Sequence, residues 1–218
     1  MENNIGNDIE YESIESIIFD MDGTLYEFTD NGSGRGFDNS VLDSRVCALA
    51  KTLIGSLTDE DADVVLQKGI ADEIGISNYL NNTYGLERDE YFATAWNVDP
   101  EGAVTKLPEL SERLRSFSNG EKNIDLTLLT AAPKIWQQNV FKYLDIEDVF
   151  GSIYSGDMFE TKRDVFKKIA DRTGPATVLS IGDQLETDVL PARELGMYAI
   201  QVASPSDTLR VIDRLSIQ

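Results

Sequence analysis

The sequence predicts an α/β fold, a doubly wound parallel sheet interrupted early by a small α-helical insert. Three observations predict it. From residue 108 onward, short apolar runs alternate with stretches of helical period, the pattern of strands and helices around a buried parallel sheet. The first apolar run, Ser16–Phe19, is cut off from the others by residues 27–104, which read as helices and contain few strand-like runs. Three of the predicted strands run directly into a polar site, at Asp20, Thr130 and Gly182-Asp183, which places these residues at one end of one sheet.

Ser-Ile-Ile-Phe at residues 16–19 is apolar and β-branched, as a strand buried on both faces requires. Residues 26–39 are polar and glycine-rich and read as a loop. Its glycines match neither the Walker pattern nor the dinucleotide fingerprint, so a connection between modules is the better reading, with Arg35 a speculative substrate contact. From Ser40, a plausible N-cap, to about Asn97 the pattern is helical, with breaks near Gly55-Ser56, Gly75 and Gly85, and a capped start at Thr58-Asp59-Glu60-Asp61. This gives a helical module of three to five helices at 27–104, set into a core formed by 1–26 and 105–218. In the core, helices are expected at 109–117, 133–144 (with proline in the first turn), 162–172 and 188–195 (closed by Gly196). Strands are expected at 126–129, 152–154, 177–181 and 198–202. There is no internal repeat.

Composition narrows the function. A hydrophobic content of 41% with 27% charged residues is that of a soluble globular chain. The formal net charge is −20 and the pI about 4.2. Such a surface repels nucleic acid, and the largest basic cluster, Lys162-Arg163 with Lys167-Lys168, is too small for a groove. The chain has no histidine, which excludes His-based triads and His zinc sites, and its single cysteine, Cys47, cannot form an internal disulfide. Residues 1–12 carry no signal-peptide pattern and no apolar run approaches the length of a membrane span, so a cytoplasmic protein is expected.

The chemistry concentrates in two segments. In Asp20-Met21-Asp22-Gly23-Thr24, carboxylates at i and i+2 leave a strand on the same side, so one can attack while the other exchanges a proton with the leaving group. A calcium loop would need further oxygen ligands where this sequence turns hydrophobic. In Gly182-Asp183-Gln184-Leu185-Glu186-Thr187-Asp188, Asp183 can complete a Mg²⁺ site with Asp20 and Asp22. Asp188 reads equally as a helix cap or as support behind the metal, and Glu186 as a solvated loop residue. Thr130 can offer its hydroxyl to a phosphate at the start of the following helix, or simply cap that helix. Lys162 can neutralise a phosphoryl oxygen, with Lys167 the competing lysine. Trp96 and Trp136 read as core or rim aromatics.

Taken in order, the strand followed by Asp-Met-Asp-Gly-Thr, then Thr130, Lys162 and Gly-Asp-x-x-x-x-Asp, resembles the haloacid dehalogenase superfamily over about residues 14–202. The resemblance implies a Rossmann-like core with a helical cap inserted after the first motif. It implies Asp20 as nucleophile, Asp22 as general acid/base, and Mg²⁺ held by Asp20, the Asp22 carbonyl oxygen and Asp183. Thr130 and Lys162 would bind the phosphoryl group of a small phosphorylated substrate such as a sugar phosphate or nucleoside monophosphate. An aspartate at Asp22 argues for phosphatases or phosphomutases over true dehalogenases. The segments Gly75-Ile76-Ser77-Asn78-Tyr79-Leu80, Tyr84-Gly85-Leu86 and Leu107-Pro108-Glu109-Leu110 are loosely similar to the pyrimidine 5′-nucleotidase-like branch. Two departures stand out: Ala131-Ala132 follows Thr130 where a small polar residue is common, and Arg163 follows Lys162 where proline is frequent. The expected function is Mg²⁺-dependent phosphatase; the alternatives are a phosphomutase and a non-catalytic binding protein on the same fold.

Overall fold

The computed structural model describes residues 9–32, 39–120 and 124–216; Arg35 lies outside them. The chain forms two compact units, Met1–Glu27 with Thr105–Gln218, and Phe28–Val104.

The first unit is built on a five-stranded sheet. Its strands are β1 (Ser16–Phe19), β4 (Asp125–Leu129), β5 (Ser152–Tyr154), β6 (Val178–Gly182) and β7 (Tyr198–Gln201), in the order β5-β4-β1-β6-β7, every neighbour parallel. β1 is therefore the middle strand, and the chain winds outward from it in one direction before returning to wind outward in the other. The crevice of such a sheet opens beyond the strand ends where the winding reverses, here between β1 and β6. All residues of β1 and β6 are buried, which is why both read as apolar runs without alternation.

Helices cover both faces. Period two along β1 sends Ile18 and Phe19 to opposite sides. Ile18 packs with Val165, Phe166 and Ile169 of α7 (Lys162–Thr173) and Ala192 of α8 (Leu190–Glu194). The Phe19 ring meets Phe150 edge-on, and Phe150 stacks on Phe141 of α6 (Lys134–Leu144), so α6 belongs to the other face. Two further helices, α5 (Pro108–Ser118) and α9 (Pro205–Ser216), pack against each other. From α9 the buried Thr208 hydroxyl donates to the Thr24 carbonyl oxygen at 2.9 Å, fastening the loop that follows β1.

The second unit holds four helices among its described residues: α1 (Val41–Leu57), α2 (Ala62–Ala71), α3 (Ile76–Tyr84) and α4 (Arg88–Ala95). Ser40 and Asp43 form a reciprocal capping box at the start of α1. The Asp61 carboxylate accepts the Asp63 N–H at 2.8 Å to open α2. Gly85, at φ 72°, closes α3. α1 carries Leu42, Val46, Ala50 and Ile54 on its buried stripe, and packs against α2 and α4.

Four local expectations are corrected. The break near Gly55-Ser56 falls two residues later, because α1 continues to Leu57 before α2 starts at Ala62. A glycine inside a helix costs about 1 kcal/mol, whereas burying Ile54 contributes about 1.5–3 kcal/mol, and Ile54 is fully buried. Part of the loop expected at 26–39 is a strand, β2 (Tyr26–Phe28), paired with β3 (Val104–Lys106). Three residues are too few to show a period. The helix expected at 188–195 starts earlier, as a π-helical turn at Leu185–Val189 that leads into α8. The helix α9 lies beyond the last element expected.

Packing is tightest where the loops after β4 and β5 cross. The Gly156 N–H donates to the Ala132 carbonyl at 2.8 Å, and a Cβ on Gly156 would lie 2.0 Å from the Ala131 carbonyl oxygen. Gly156→Ala is expected to destabilise the protein by about 1–3 kcal/mol, because backbone must move to admit the methyl group. Gly55→Ala, on a helix with open space around it, should stabilise by roughly 0.5–1 kcal/mol. Urea unfolding of the two variants checks both signs.

Candidate active site

The strand register sets the site. Phe19 lies level with Leu128 of β4 and Ile181 of β6, so Asp20 emerges beside the ends of both neighbouring strands. The Asp20 N–H still donates to the Ile181 carbonyl at 2.9 Å, which pins the residue to the sheet edge. Thr130 and Asp183 follow one step beyond on either side.

Lys162, the first residue of α7, reaches back over this edge. The Thr161 side chain caps α7 by accepting the Asp164 N–H, and this fixes where the lysine starts. Its ammonium donates to Asp20 Oδ1 at 2.6 Å and to Asp188 Oδ1 at 2.7 Å, and all three side chains are at most 9% exposed. Lys167 and Lys168 are exposed further along the helix. Asp188 does not open a helix from outside it. It sits in the π-helical turn and its Oδ2 accepts the Gln184 N–H at 3.0 Å, while its carbonyl accepts the Ser180 hydroxyl at 2.9 Å. Single π turns of this kind concentrate at functional sites.

Asp183 completes the cluster. Carboxylate oxygens of Asp20, Asp183 and Asp188 lie within 4.8 Å of one another. Gly23, at φ 71°, lets the turn after Asp22 press against Asp183, since a Cβ there would sit 2.6 Å from Asp183 Oδ2. Asp183 Oδ1 is buried with no hydrogen-bond partner. Buried polar atoms are ordinarily satisfied, so an orphaned carboxylate oxygen beside two other carboxylates leaves a place that could hold a cation.

Electrostatics agrees. Burial pushes the Asp20 carboxyl up to about 8; Lys162 opposes the rise, and Asp188 and Asp22 reinforce it. Burial, then Asp188, also raises Asp183. Burial works against the charge on Lys162, but Asp20 and Asp188 outweigh it and hold the ammonium above its usual range. One ammonium is thus shared by more carboxylates than it can neutralise. All-oxygen, anionic ligands in this number fit a hard divalent cation.

Asp22 is placed differently from the three clustered carboxylates. Its Oδ1 accepts a hydrogen bond from the Tyr26 hydroxyl. Thr24, fully buried, donates weakly to Asp20 Oδ2 at 3.4 Å. Thr130 is buried; its hydroxyl accepts the Ala132 N–H at 3.0 Å and so folds the turn that opens towards α6. Glu186 is exposed. The sequence reading missed Tyr26 and Trp136. The Trp136 indole N–H donates to the Tyr26 hydroxyl oxygen at 3.0 Å, across 110 positions of sequence, and no local pattern signals a pair so far apart.

Comparison with known proteins extends this picture. No curated protein matches the sequence. Solved structures do share the fold. A candidate β-phosphoglucomutase from Thermotoga maritima is 17% identical, with a TM-score of 0.54 over 92% of this chain and 99% of that one. A haloacid dehalogenase-like family hydrolase from Streptococcus pneumoniae is 22% identical, with a TM-score of 0.53 over 92% and 91%. A predicted phosphoglycolate phosphatase from Haemophilus somnus is 18% identical, with a TM-score of 0.54 over 86% and 84%. The family model for haloacid dehalogenase-like hydrolases matches residues 14–196, a span that holds both aspartate segments, Thr130 and Lys162. With its sheet, its aspartate cluster and this match in hand, the chain belongs to the haloacid dehalogenase-like hydrolase family.

Proposed function

We propose that the protein is a Mg²⁺-dependent phosphatase that hydrolyses a small phosphorylated metabolite through an aspartyl-phosphate on Asp20. The observation that carries this reading is the buried cluster of Asp20, Lys162, Asp183 and Asp188, with one carboxylate oxygen of Asp183 left unsatisfied. Mg²⁺ would be held by Asp20, the main-chain carbonyl of Asp22 and Asp183, with Asp188 behind them. When bound, the ion supplies positive charge against both the carboxylates and the phosphoryl oxygens.

The residues of the chain do the rest. Asp20, which burial holds protonated to about pH 8 against the pull of Lys162, would be ionised with a cation bound beside it; its carboxylate oxygen attacks phosphorus, and the new O–P bond forms as the ester O–P bond breaks. Asp22 gives its proton to the departing alcohol oxygen, which would otherwise leave as an unstable alkoxide. Asp22, now ionised, takes a proton from water as that water attacks the phosphorus of the aspartyl-phosphate. Inorganic phosphate leaves and Asp20 is regenerated. Thr130 and Lys162 hold the phosphoryl oxygens. The helical unit occupies the place of a cap in the sequence, and we assign it the choice of substrate.

Two kinds of outcome, one of turnover and one of stability, test the reading. Turnover of p-nitrophenyl phosphate should need Mg²⁺, release inorganic phosphate and stop with chelator. Asp20→Asn should abolish it without unfolding the protein, because an amide of the same shape is a poor nucleophile. Near-normal turnover in the variant would remove Asp20 from the mechanism.

The second outcome concerns pH. A carboxyl whose folded pKa lies above its unfolded value favours folding while protonated and loses that contribution as pH rises. For Asp20 the loss runs from about 4 to about 8, and the raised Asp183 adds in the same direction. Lys162 stays charged across this window and adds no slope. Metal-free protein should therefore lose thermal stability between pH 5 and pH 8, and Mg²⁺ should raise Tm more at pH 8 than at pH 5. Differential scanning calorimetry with and without Mg²⁺ decides it, and the difference should shrink in Asp20→Asn. An equal Mg²⁺ effect at both pH values would dissociate the ion from these carboxylates.

A further inference from the structure

We propose that Trp136 and Tyr26 form a positioning relay for Asp22, which fixes the carboxylate that exchanges the proton with the leaving group; the inference rests on the phosphatase reading above. Both aromatic side chains are completely buried, with ring centroids 6.4 Å apart and planes at 83°. The indole N–H donates into the phenol oxygen at 3.0 Å. A hydroxyl carries one proton, and with the indole proton occupying the oxygen's acceptor side, the phenol proton is directed at Asp22 Oδ1. The direction of both bonds is thus set: indole to phenol, phenol to carboxylate.

A buried tyrosine ordinarily finds some hydrogen-bond partner, and a nearby carboxylate is an unremarkable one. Three features take this pair further. The carboxylate belongs to the residue two positions after the proposed nucleophile, where proton transfer is needed. Asp22 is only partly buried, so its carboxylate lies at the boundary between the dry relay and the crevice. The indole stands on the first turn of α6, the helix that follows the Thr130 turn, so the segment that carries Thr130 leads directly into the helix that holds the acid. Asp22 has two rotatable side-chain bonds and lies in a turn. General acid catalysis requires its proton within hydrogen-bond reach of the leaving oxygen. Holding Oδ1 on the phenol orients the carboxyl plane. The two interlocked rings cannot rotate without repacking the core, so the relay is stiff.

Tyr26→Phe removes the hydroxyl and keeps the ring. A loosened acid harms substrates that need protonation of the leaving group and spares those that do not. With an alkyl phosphate, kcat should fall about tenfold or more, a part of the 10²–10⁴-fold that general acid–base help supplies. With p-nitrophenyl phosphate the first-step rate, read by single-turnover nitrophenol release, should fall less than about threefold, and KM for both should hold within about twofold. Trp136→Phe should act in the same direction and more weakly; if it does not fold, Tyr26→Phe decides alone. A readout free of turnover accompanies these. The Trp136 indole N–H proton resonance, assigned by its loss in Trp136→Phe, should move upfield in Tyr26→Phe as its acceptor disappears. Equal losses on both substrates, no loss on either, or an unmoved resonance would overturn the relay. Asp22→Asn separates this from the parent reading. If Asp22→Asn loses alkyl turnover selectively and Tyr26→Phe does not, only the relay fails; if Asp22→Asn leaves the alkyl-to-aryl ratio unchanged, the acid–base reading and the relay fall together.

Discussion

A single buried ammonium organises the core unit. Lys162 bridges Asp20 and Asp188, which stand on opposite sides of the reversal point of the sheet, one after β1 and the other in the turn after β6. Removing ions from water costs several kcal/mol each, and their attraction offsets this only when the geometry is good and the remaining valences are met. Much of the local architecture reads as a means of meeting them. The Thr161 cap fixes the start of α7 so that its first side chain points back over the sheet edge. The π-helical turn carries Asp188 inward where a regular helix start would have left it on the rim, and the Gln184 N–H occupies its second oxygen. Asp20 stays on the sheet through its bond to Ile181.

What the ammonium leaves unmet is as informative as what it meets. With Asp183 beside the pair and its Oδ1 unpartnered, the site holds more negative charge than its own groups can balance. A fold that gathers this deficit at the strand ends, and packs the glycine turn at Gly23 against Asp183, could hold a cation there. The raised Asp20 and Asp183 carboxyls are the same statement in terms of protons: in the absence of a divalent ion, protonation is the other way to lower the charge.

The sequence disclosed the parts of this arrangement whose signal is local. Buried parallel strands are continuous apolar runs, so β1, β4 and β6 are legible, and a polar residue straight after such a run must lie at the strand end. Lys162 was legible as the first residue of a helix, although its two partners were visible only once α7 was seen to fold back over β1. What escaped shares one cause, that long-range packing decides it. α1 runs through Gly55 because Ile54 is fully buried, which the local sequence does not signal. β2 and β3 are three-residue strands defined by each other. Tyr26 and Trp136 carry no mark of their hydrogen bond, and Trp136 alone reads as another core aromatic. Asp188 could be read either as a helix cap or as support behind a metal; it lies inside the π turn, with one oxygen bonded to the backbone and the other to the lysine.

The surface charge bears on the same chemistry. A net charge of −20 repels a phosphorylated substrate at long range, yet that repulsion is screened beyond about 8 Å at physiological ionic strength. At the strand ends the balance belongs to a few groups: the lysine and any cation that the aspartate cluster holds. These act at contact distance in a poorly solvated setting, where each charge weighs far more than its counterpart on the surface. The acidity of the chain and a taste for phosphate are therefore compatible, because they operate over different distances.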